Sequence, residues 1–430
     1  MNGYEWFLDV ERNRVARQNA ERELAEVKRE IHIGDLFLIS FAIAAIVAAL
    51  LVLLSCAPSP LGPGVAKAQA QQDYPRLFSY HGGRSWGPPF TKPDGSLDSA
   101  LIRQAARWPV ITLNPNAATL RPDMVQCFRF YNQNITILFY MQFAAWHIQD
   151  TSQVIASTDQ SMYAEWHREL QRTHGWVHTA DIQYRVDWSQ KDVADALIAI
   201  LVKYTKYHLA DGWFFDYFEP AFSWTGNGTV DDDANRVFHA QRLIDALHAA
   251  QPGCLVMGNG ESALRVKLDG RMKEGFTTSI TPFDEAFDLR PGDVLKSEAP
   301  IGSGGNAKLA RYTLATACMS GAMSNHGNSH YTGAPEEATW WFPEYAVDPQ
   351  GKPDPTGKYV GWLGKDEGAA TRTPAASWLR RFEHGAVVTR SNFSSGSETV
   401  QLGGQYKRIG STTNVTSVSI SAGDAVFLWR

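Results

Sequence analysis

The stretch Asp211-Gly-Trp-Phe-Phe-Asp-Tyr-Phe-Glu-Pro220 constrains this chain more than any other. It opens on a turn dipeptide, runs through apolar and aromatic residues, and delivers a carboxylate where the run ends. A parallel strand covered on both faces reads this way, because helices leave it no wet side. Side chains alternate along a strand, so residues 212, 214, 216 and 218 share one face. Asp216 therefore points inward near the C-terminal end, where parallel barrels carry their chemistry. The competing reading is a structural aspartate tied to backbone amides or an arginine, since a charge on an apolar strand needs partners.

From Tyr74 onward, short apolar runs alternate with helical segments, the rhythm of a parallel α/β fold. Eight strands are predicted at Arg76–His81, Pro109–Asn114, Thr136–Gln142, Gly212–Phe218, Cys254–Asn259, Gly270–Phe276, Asp293–Glu298 and Ala322–His326. Ser189-Gln-Lys-Asp192 reads as a helix start, and Val193, Leu197, Ile200, Leu201 and Tyr204 then mark one apolar face. The expectation is a (β/α)8 TIM barrel over 74–384. Short strand-like runs separated by Gly, Ser, Thr and Asn follow, and predict a small antiparallel β domain, sandwich-like, over 385–430.

The N-terminus decides location. Residues 1–35 form a charged helical leader, 36–56 an apolar segment and 57–73 a linker rich in Pro, Gly, Ala and Gln. The run Leu36–Leu54 matches the roughly 20 residues that span a bilayer. Arg17, Arg22, Lys28 and Arg29 precede it, which keeps the N-terminus inside and exports the bulk of the chain. Retention as a single-pass signal anchor is the first expectation. Cleavage near Ala70, giving a secreted protein, and lipidation at Cys56 remain open. Nucleic acid is not an expected partner, because the net charge is −5 and no basic block occurs. The oligomeric state is not legible in the sequence.

Glycoside hydrolysis uses two carboxylates, one on each side of the scissile bond. Asp216 is the first candidate. Glu274 is the second: residues 270, 272 and 274 share a face, which puts Glu274 inward and late in the sixth strand, across the barrel mouth from the fourth. An ion pair with Arg271 or Lys273 is its bland alternative. Glu261 follows the fifth strand and rivals Glu274. Asn259 is placed to hydrogen-bond a sugar hydroxyl, and Glu219 to orient Asp216 or bind substrate. His81 and Asp187 sit at strand ends where a barrel keeps ligand contacts. Trp146, Trp188 and Tyr217 offer flat faces for a sugar or ordinary packing; the 14 Trp lean toward sugar. No cofactor and no metal are expected. His326 and His330 lack a helix between them, and Asp231-Asp-Asp233 lacks a calcium-loop pattern. Cys254 and Cys318 read as buried free thiols.

The order Asp187-Trp188, Asp211-Gly-Trp-Phe-Phe-Asp216, Met257-Gly-Asn259, Asp269-Gly-Arg-Met-Lys-Glu274 and Trp378 to Gly385 resembles glycoside hydrolases of the hypothetical glycosyl hydrolase 15 type. That group is more distantly similar to α-galactosidase-like barrels. The resemblance covers roughly 74–430. It implies a TIM barrel with a small β domain, acting on a polysaccharide outside the cell, with Asp216 as nucleophile or base and Glu274 as acid. Retention of configuration is implied by the same analogy. The alternative from another class is a non-catalytic carbohydrate-binding surface protein on the same scaffold.

Overall fold

In the computed structural model, eight parallel strands form a nearly closed barrel. The structure describes residues 73–80, 90–92, 94–113, 122–143, 145–147, 162–174, 176–178, 183–207, 210–216, 218, 233–259, 266–276, 288–299, 305–328, 340–391 and 393–430. The expected anchor, leader and most of the linker lie outside these. Among the described residues, no helix is long and apolar enough to cross a membrane.

The barrel strands are β1 (Phe78–Ser79), β2 (Val110–Leu113), β3 (Thr136–Gln142), β7 (Gly212–Asp216), β8 (Leu255–Asn259), β9 (Gly270–Lys273), β10 (Val294–Ala299) and β11 (Met323–Asn328), in that order around the ring. A small antiparallel sheet is inserted after β3. It consists of β4 (Ala145–His147), β5 (Trp176–His178) and β6 (Gln183–Val186), paired β4-β6-β5. A parallel bridge from Leu77 to Ser324 brings the last strand to the first, and the Ser324 N–H donates to the Arg76 carbonyl at 2.9 Å. Each of the eight predicted segments overlaps a barrel strand. The inserted sheet was not foreseen, because three strands of three or four residues show too little alternation to read.

The outer helices are α1 (Ser99–Ala105), α2 (Pro122–Tyr131), α3 (Met162–Thr173), α4 (Lys191–Tyr207), α5 (Asp233–Ala250) and α6 (Ala307–Ser320). Among the described residues no α-helix separates β8 from β9 or β9 from β10. Val193, Ala194, Leu197, Ile200 and Leu201 bury one face of α4 against the outward residues Phe139, Trp213 and Phe215 of the barrel wall. Each such leucine contributes about 1.5–3 kcal/mol.

Three aspartates stitch the N-terminal rim. Asp211, Asp269 and Asp293 each precede a strand, and each accepts the backbone N–H of the strand before it. These are Ile137 at 2.9 Å, Val256 at 2.7 Å and Arg271 at 2.8 Å. Arg129 also pairs with both oxygens of Asp211 at 3.1 Å. The Asp-Gly dipeptides at 211 and 269 are thus structural, at the barrel end where stability resides. Their glycines are required by close approach. A Cβ on Gly212 would stand 2.0 Å from the Leu255 carbonyl oxygen, and one on Gly270 would stand 2.1 Å from that of Gly292.

Inside the ring, side chains stack in layers drawn from every second strand, because the register staggers each strand against the next. Phe78, Leu138, Met257 and Val294 form an apolar layer, all buried. Phe214, Met272, Thr112 and Asn325 lie above it. Tyr80, Tyr140, Asn259 and Lys296 come next. The interior therefore turns polar toward the C-terminal mouth.

A six-stranded antiparallel sheet closes the chain: β12 (Thr371–Arg372), β13 (Ser377–Phe382), β14 (Gly385–Arg390), β15 (Ser397–Arg408), β16 (Asn414–Ser421) and β17 (Asp424–Trp429), ordered β12-β13-β14-β17-β15-β16. It is a single half-barrel sheet rather than a sandwich, and it begins at Thr371, ahead of residue 385. Thr399–Leu402 lies within β15, and Tyr406–Ile409 overlaps its end. The register shifts between Gln401 and Tyr406, at Gly403, whose φ is +69°. Phe382, Val387, Ala425 and Phe427 pack in one cluster with Tyr312, Ala315 and Cys318 of α6. Arg311 reaches Asp424 at 2.8 Å, and Arg380 donates to the Cys318 carbonyl at 2.7 Å.

Gly212→Ala is expected to lower the stability of the fold by about 1–3 kcal/mol through overpacking against the β8 backbone. The midpoint of urea unfolding measures it.

Candidate active site

Asp216 ends β7 and points into the mouth of the barrel, 6% exposed. Its Oδ2 accepts the Tyr140 hydroxyl at 2.6 Å and the Tyr80 hydroxyl at 3.5 Å. Its Oδ1 accepts the Asn259 side-chain N–H at 2.8 Å. All three donors belong to the layer directly beneath. An ionised carboxylate taken out of water costs several kcal/mol, and hydrogen bonds to a charged acceptor return about 1.5–3 kcal/mol each. Neutral donors aimed at both oxygens favour the ionised form.

Glu274 follows β9 by one residue, and its side chain is 22% exposed. It pairs with Lys296, not with Arg271 or Lys273 in any described bond: the Lys296 ammonium donates to Glu274 Oε1 at 2.8 Å. The same ammonium donates to Glu298 Oε1 at 3.0 Å. It also lies 4.7 Å from the centre of the Tyr80 ring, close enough for a cation–π contact. Arg271 instead serves Asp293 on the outer face. Tyr80 touches both halves of the site. Burial foremost, then the Asp216 carboxylate, Tyr140 and Glu274, push its phenol well above the ordinary range.

Tyr80, Tyr140, Lys296 and Glu298 were not singled out from the sequence. The cue was present for two of them. Lys296 and Glu298 are charged residues alternating on one face of an otherwise apolar strand, the same sign that marked Asp216. Tyr80 and Tyr140 gave no such cue, since tyrosines on buried strands read as core.

Of the remaining sequence candidates, the structure describes the side chains of Asp187 and Trp188. Asp187 accepts the Ser189 N–H at 3.1 Å, the Ser189 hydroxyl at 2.5 Å and the Gln190 amide at 2.7 Å, bonds that tie it to the turn before α4. Trp188 is 1% exposed, its ring stacked 4.3 Å from Phe143 and its Nε1–H donated to the Phe143 carbonyl. Packing occupies both faces of that ring, so the expectation of a sugar platform there gives way to a core role. Trp146 lies on β4, its side chain outside the described residues. His81, Tyr217, Glu219 and Glu261 also lie outside them.

His326 faces away from the mouth, against α6. The Asn306 N–H donates to its Nε2 at 3.0 Å, so Nδ1 carries the proton and donates to Ser297 Oγ at 2.8 Å. Burial lowers its pKa to about 4, which keeps the imidazole neutral. His330 lies outside the described residues. Among the described residues no group of three His, Cys, Asp or Glu could hold a metal ion. Cys254 and Cys318 are free, their thiols pushed up to about 12 by burial.

No protein-family model matches the chain, and no curated protein matches it. Among solved structures it is distantly similar to glycoside hydrolases with a TIM-like barrel. The glycoside hydrolase domain of PelA from Pseudomonas aeruginosa is 12% identical, with a TM-score of 0.40, covering 61% of this chain and 96% of that one. A maltogenic α-amylase, AmyB from Thermotoga neapolitana, is 9% identical with a TM-score of 0.47, covering 85% and 96%. A GH36 α-galactosidase, AgaA from Geobacillus stearothermophilus, solved with raffinose, is 11% identical with a TM-score of 0.46. It covers 83% of this chain and 56% of that one. The barrel itself is assigned from its own strand pairings.

The raised Tyr80 phenol sets an alkaline limit. Above the ordinary value of about 10, the unfolded chain releases this proton and the folded one keeps it, so stability falls as pH rises. Tyr80→Phe is expected to flatten the decline of unfolding free energy above about pH 10, read by denaturant titrations at stepped pH.

Proposed function

We propose that the chain is a glycoside hydrolase acting on a polysaccharide outside the cell, tethered to the membrane through residues 36–56. One observation carries the reading. A buried aspartate, held by three donors at the C-terminal end of a barrel strand, shares the mouth with a second acidic group of different environment. Glycosidases need such a pair, one carboxylate kept ionised and one able to hold a proton.

Asp216 is the nucleophile or base. Tyr140 and Asn259 fix its two oxygens, so its free lone pairs have a set direction when a sugar ring enters. Glu274 is the acid, delivering a proton to the leaving oxygen as the bond breaks. Asn259 and Glu298 line the space a sugar would fill. Retention of configuration is part of the proposal, with Asp216 forming the glycosyl ester and Glu274 then activating water.

The test is a polysaccharide panel assayed with the full chain beside Asp216→Asn and Glu274→Gln. Both variants are expected to lose about a hundredfold or more in kcat/KM, with circular dichroism unchanged. The anomer first released, followed by proton NMR, reports retention or inversion. Turnover surviving in both variants rejects the assignment. Tight binding without turnover in the unaltered protein replaces it with a carbohydrate-binding role.

A further inference from the structure

Glu298 is the outermost inward residue of β10. Residues 294, 296 and 298 alternate onto that face, so Glu298 stands about 6–7 Å further along the strand than Lys296, on the side of the mouth. Lys296 belongs to the layer that supplies the donors beneath Asp216. Glu298 therefore rises beside the space above that carboxylate rather than under it. Its side chain is 20% exposed, against 1% for Lys296.

Its two oxygens are used unequally. Oε1 accepts from the Lys296 ammonium at 3.0 Å. Oε2 accepts no hydrogen bond among the described residues. The structural aspartates of the opposite rim spend both oxygens. Asp211 takes Arg129 on each, and Asp293 takes the Arg271 N–H on Oδ1 and the Arg290 N–H on Oδ2. Balancing the charge of Lys296 does not account for Glu298 either, because Glu274 accepts from the same ammonium at 2.8 Å. The bond on Oε1 has another effect. It ties one corner of the carboxyl group to a buried cation, which fixes the plane of the group and gives Oε2 a set direction. A partner then binds an oxygen whose ordering entropy is already spent.

We infer that Glu298 is a specificity-determining residue, its Oε2 accepting a hydroxyl of a neutral sugar ring that stands over Asp216. The inference rests on the glycoside hydrolase reading and names the substrate class of the same site. A carboxylate oxygen accepts and cannot donate. A ring edge with a free hydroxyl satisfies it, and the bond is strong because the acceptor is charged. An edge bearing an ether, or no oxygen, leaves it unmet. A uronic acid turned to this side sets its own carboxylate against Glu298, and like charges so placed suppress binding.

The test is binding, read by titration calorimetry with the full chain. The probes are the tetraoses of glucose, galactose and mannose, with tetragalacturonic acid beside them. At least one neutral tetraose is expected to bind about tenfold tighter than the acidic one, or better. Glu298→Gln and Glu298→Ala are expected to weaken the best neutral probe by about tenfold and to narrow its lead over tetragalacturonic acid. Monodeoxy derivatives of that probe locate the hydroxyl. One of them is expected to lose about tenfold in the unaltered protein and almost nothing further in Glu298→Ala. That coupling is the signature, since a glutamate that only balances Lys296 would not single out one hydroxyl.

Tetragalacturonic acid binding as well as every neutral probe overturns the inference. So do deoxy losses unchanged in Glu298→Ala, or a panel in which nothing binds. If Glu298→Ala does not fold, Glu298→Gln decides by the same criterion, its deoxy penalty falling or staying. The two readings fail separately. Coupling without turnover of any probe keeps the role of Glu298 and removes the hydrolase reading. Turnover abolished by Asp216→Asn and Glu274→Gln, on probes that ignore Glu298→Ala, keeps the hydrolase reading and removes this one.

Discussion

A buried aspartate at the end of a strand made of Gly, Trp and Phe is the constraint around which the barrel is arranged. The chain cannot place Asp216 there without supplying donors, because an isolated carboxylate in an apolar ring would cost several kcal/mol. The layer below answers that demand with Tyr80, Tyr140 and Asn259, drawn from three different strands. Each of those strands must then hold its register, because a slip by one residue would turn its polar tip outward. The rim aspartates at 211, 269 and 293 secure that register from the opposite end by clamping neighbouring backbone amides. Site and scaffold are thus coupled through strand alignment.

The acidic groups of the mouth are held in two different ways. Among the described residues, Asp216 accepts from the neutral donors Tyr80, Tyr140 and Asn259. Glu274 and Glu298 meet a cation. A pair of carboxylates in unlike surroundings is what a two-step proton and nucleophile chemistry requires, and Tyr80 lies between the two regimes, touching both. Its raised phenol records that proximity: it is a neutral donor hemmed by negative charge.

Much of this was legible in the residues. Most of the barrel strands were readable because they are short apolar runs bounded by turn residues, and Asp216 stood out as a charge on such a run. Asn259 was placed inward by alternation alone, and it is. Legibility failed where a signal had two meanings. Trp188 beside Asp187 looked like a binding-loop aromatic, but a tryptophan next to a helix start serves equally well as packing, and here Phe143 takes its face. The Asp-Gly dipeptide at 211 read as a turn, and its aspartate proved also to be a rim stitch, a bond that spacing along one strand cannot show. Gly403 broke one long strand into two apparent ones. The link from Glu274 to Lys296 was invisible because it depends on cross-strand register, which no single strand encodes.

Helix α6 lies against the barrel on one side and the C-terminal sheet on the other. Its cluster includes Tyr74 and Leu77 at the start of the described chain and Phe427 near its end. Asp424 and Arg311 lock the same junction. The seam where the first barrel strand meets the last is therefore closed by residues far apart in the sequence, such as Arg76, whose side chain donates to the Gly321 carbonyl at 3.0 Å. A nascent chain can assemble the wall from β2 to β10 early, but the seam waits for the final strands to emerge. Until then the half-made ring keeps two unpaired edges.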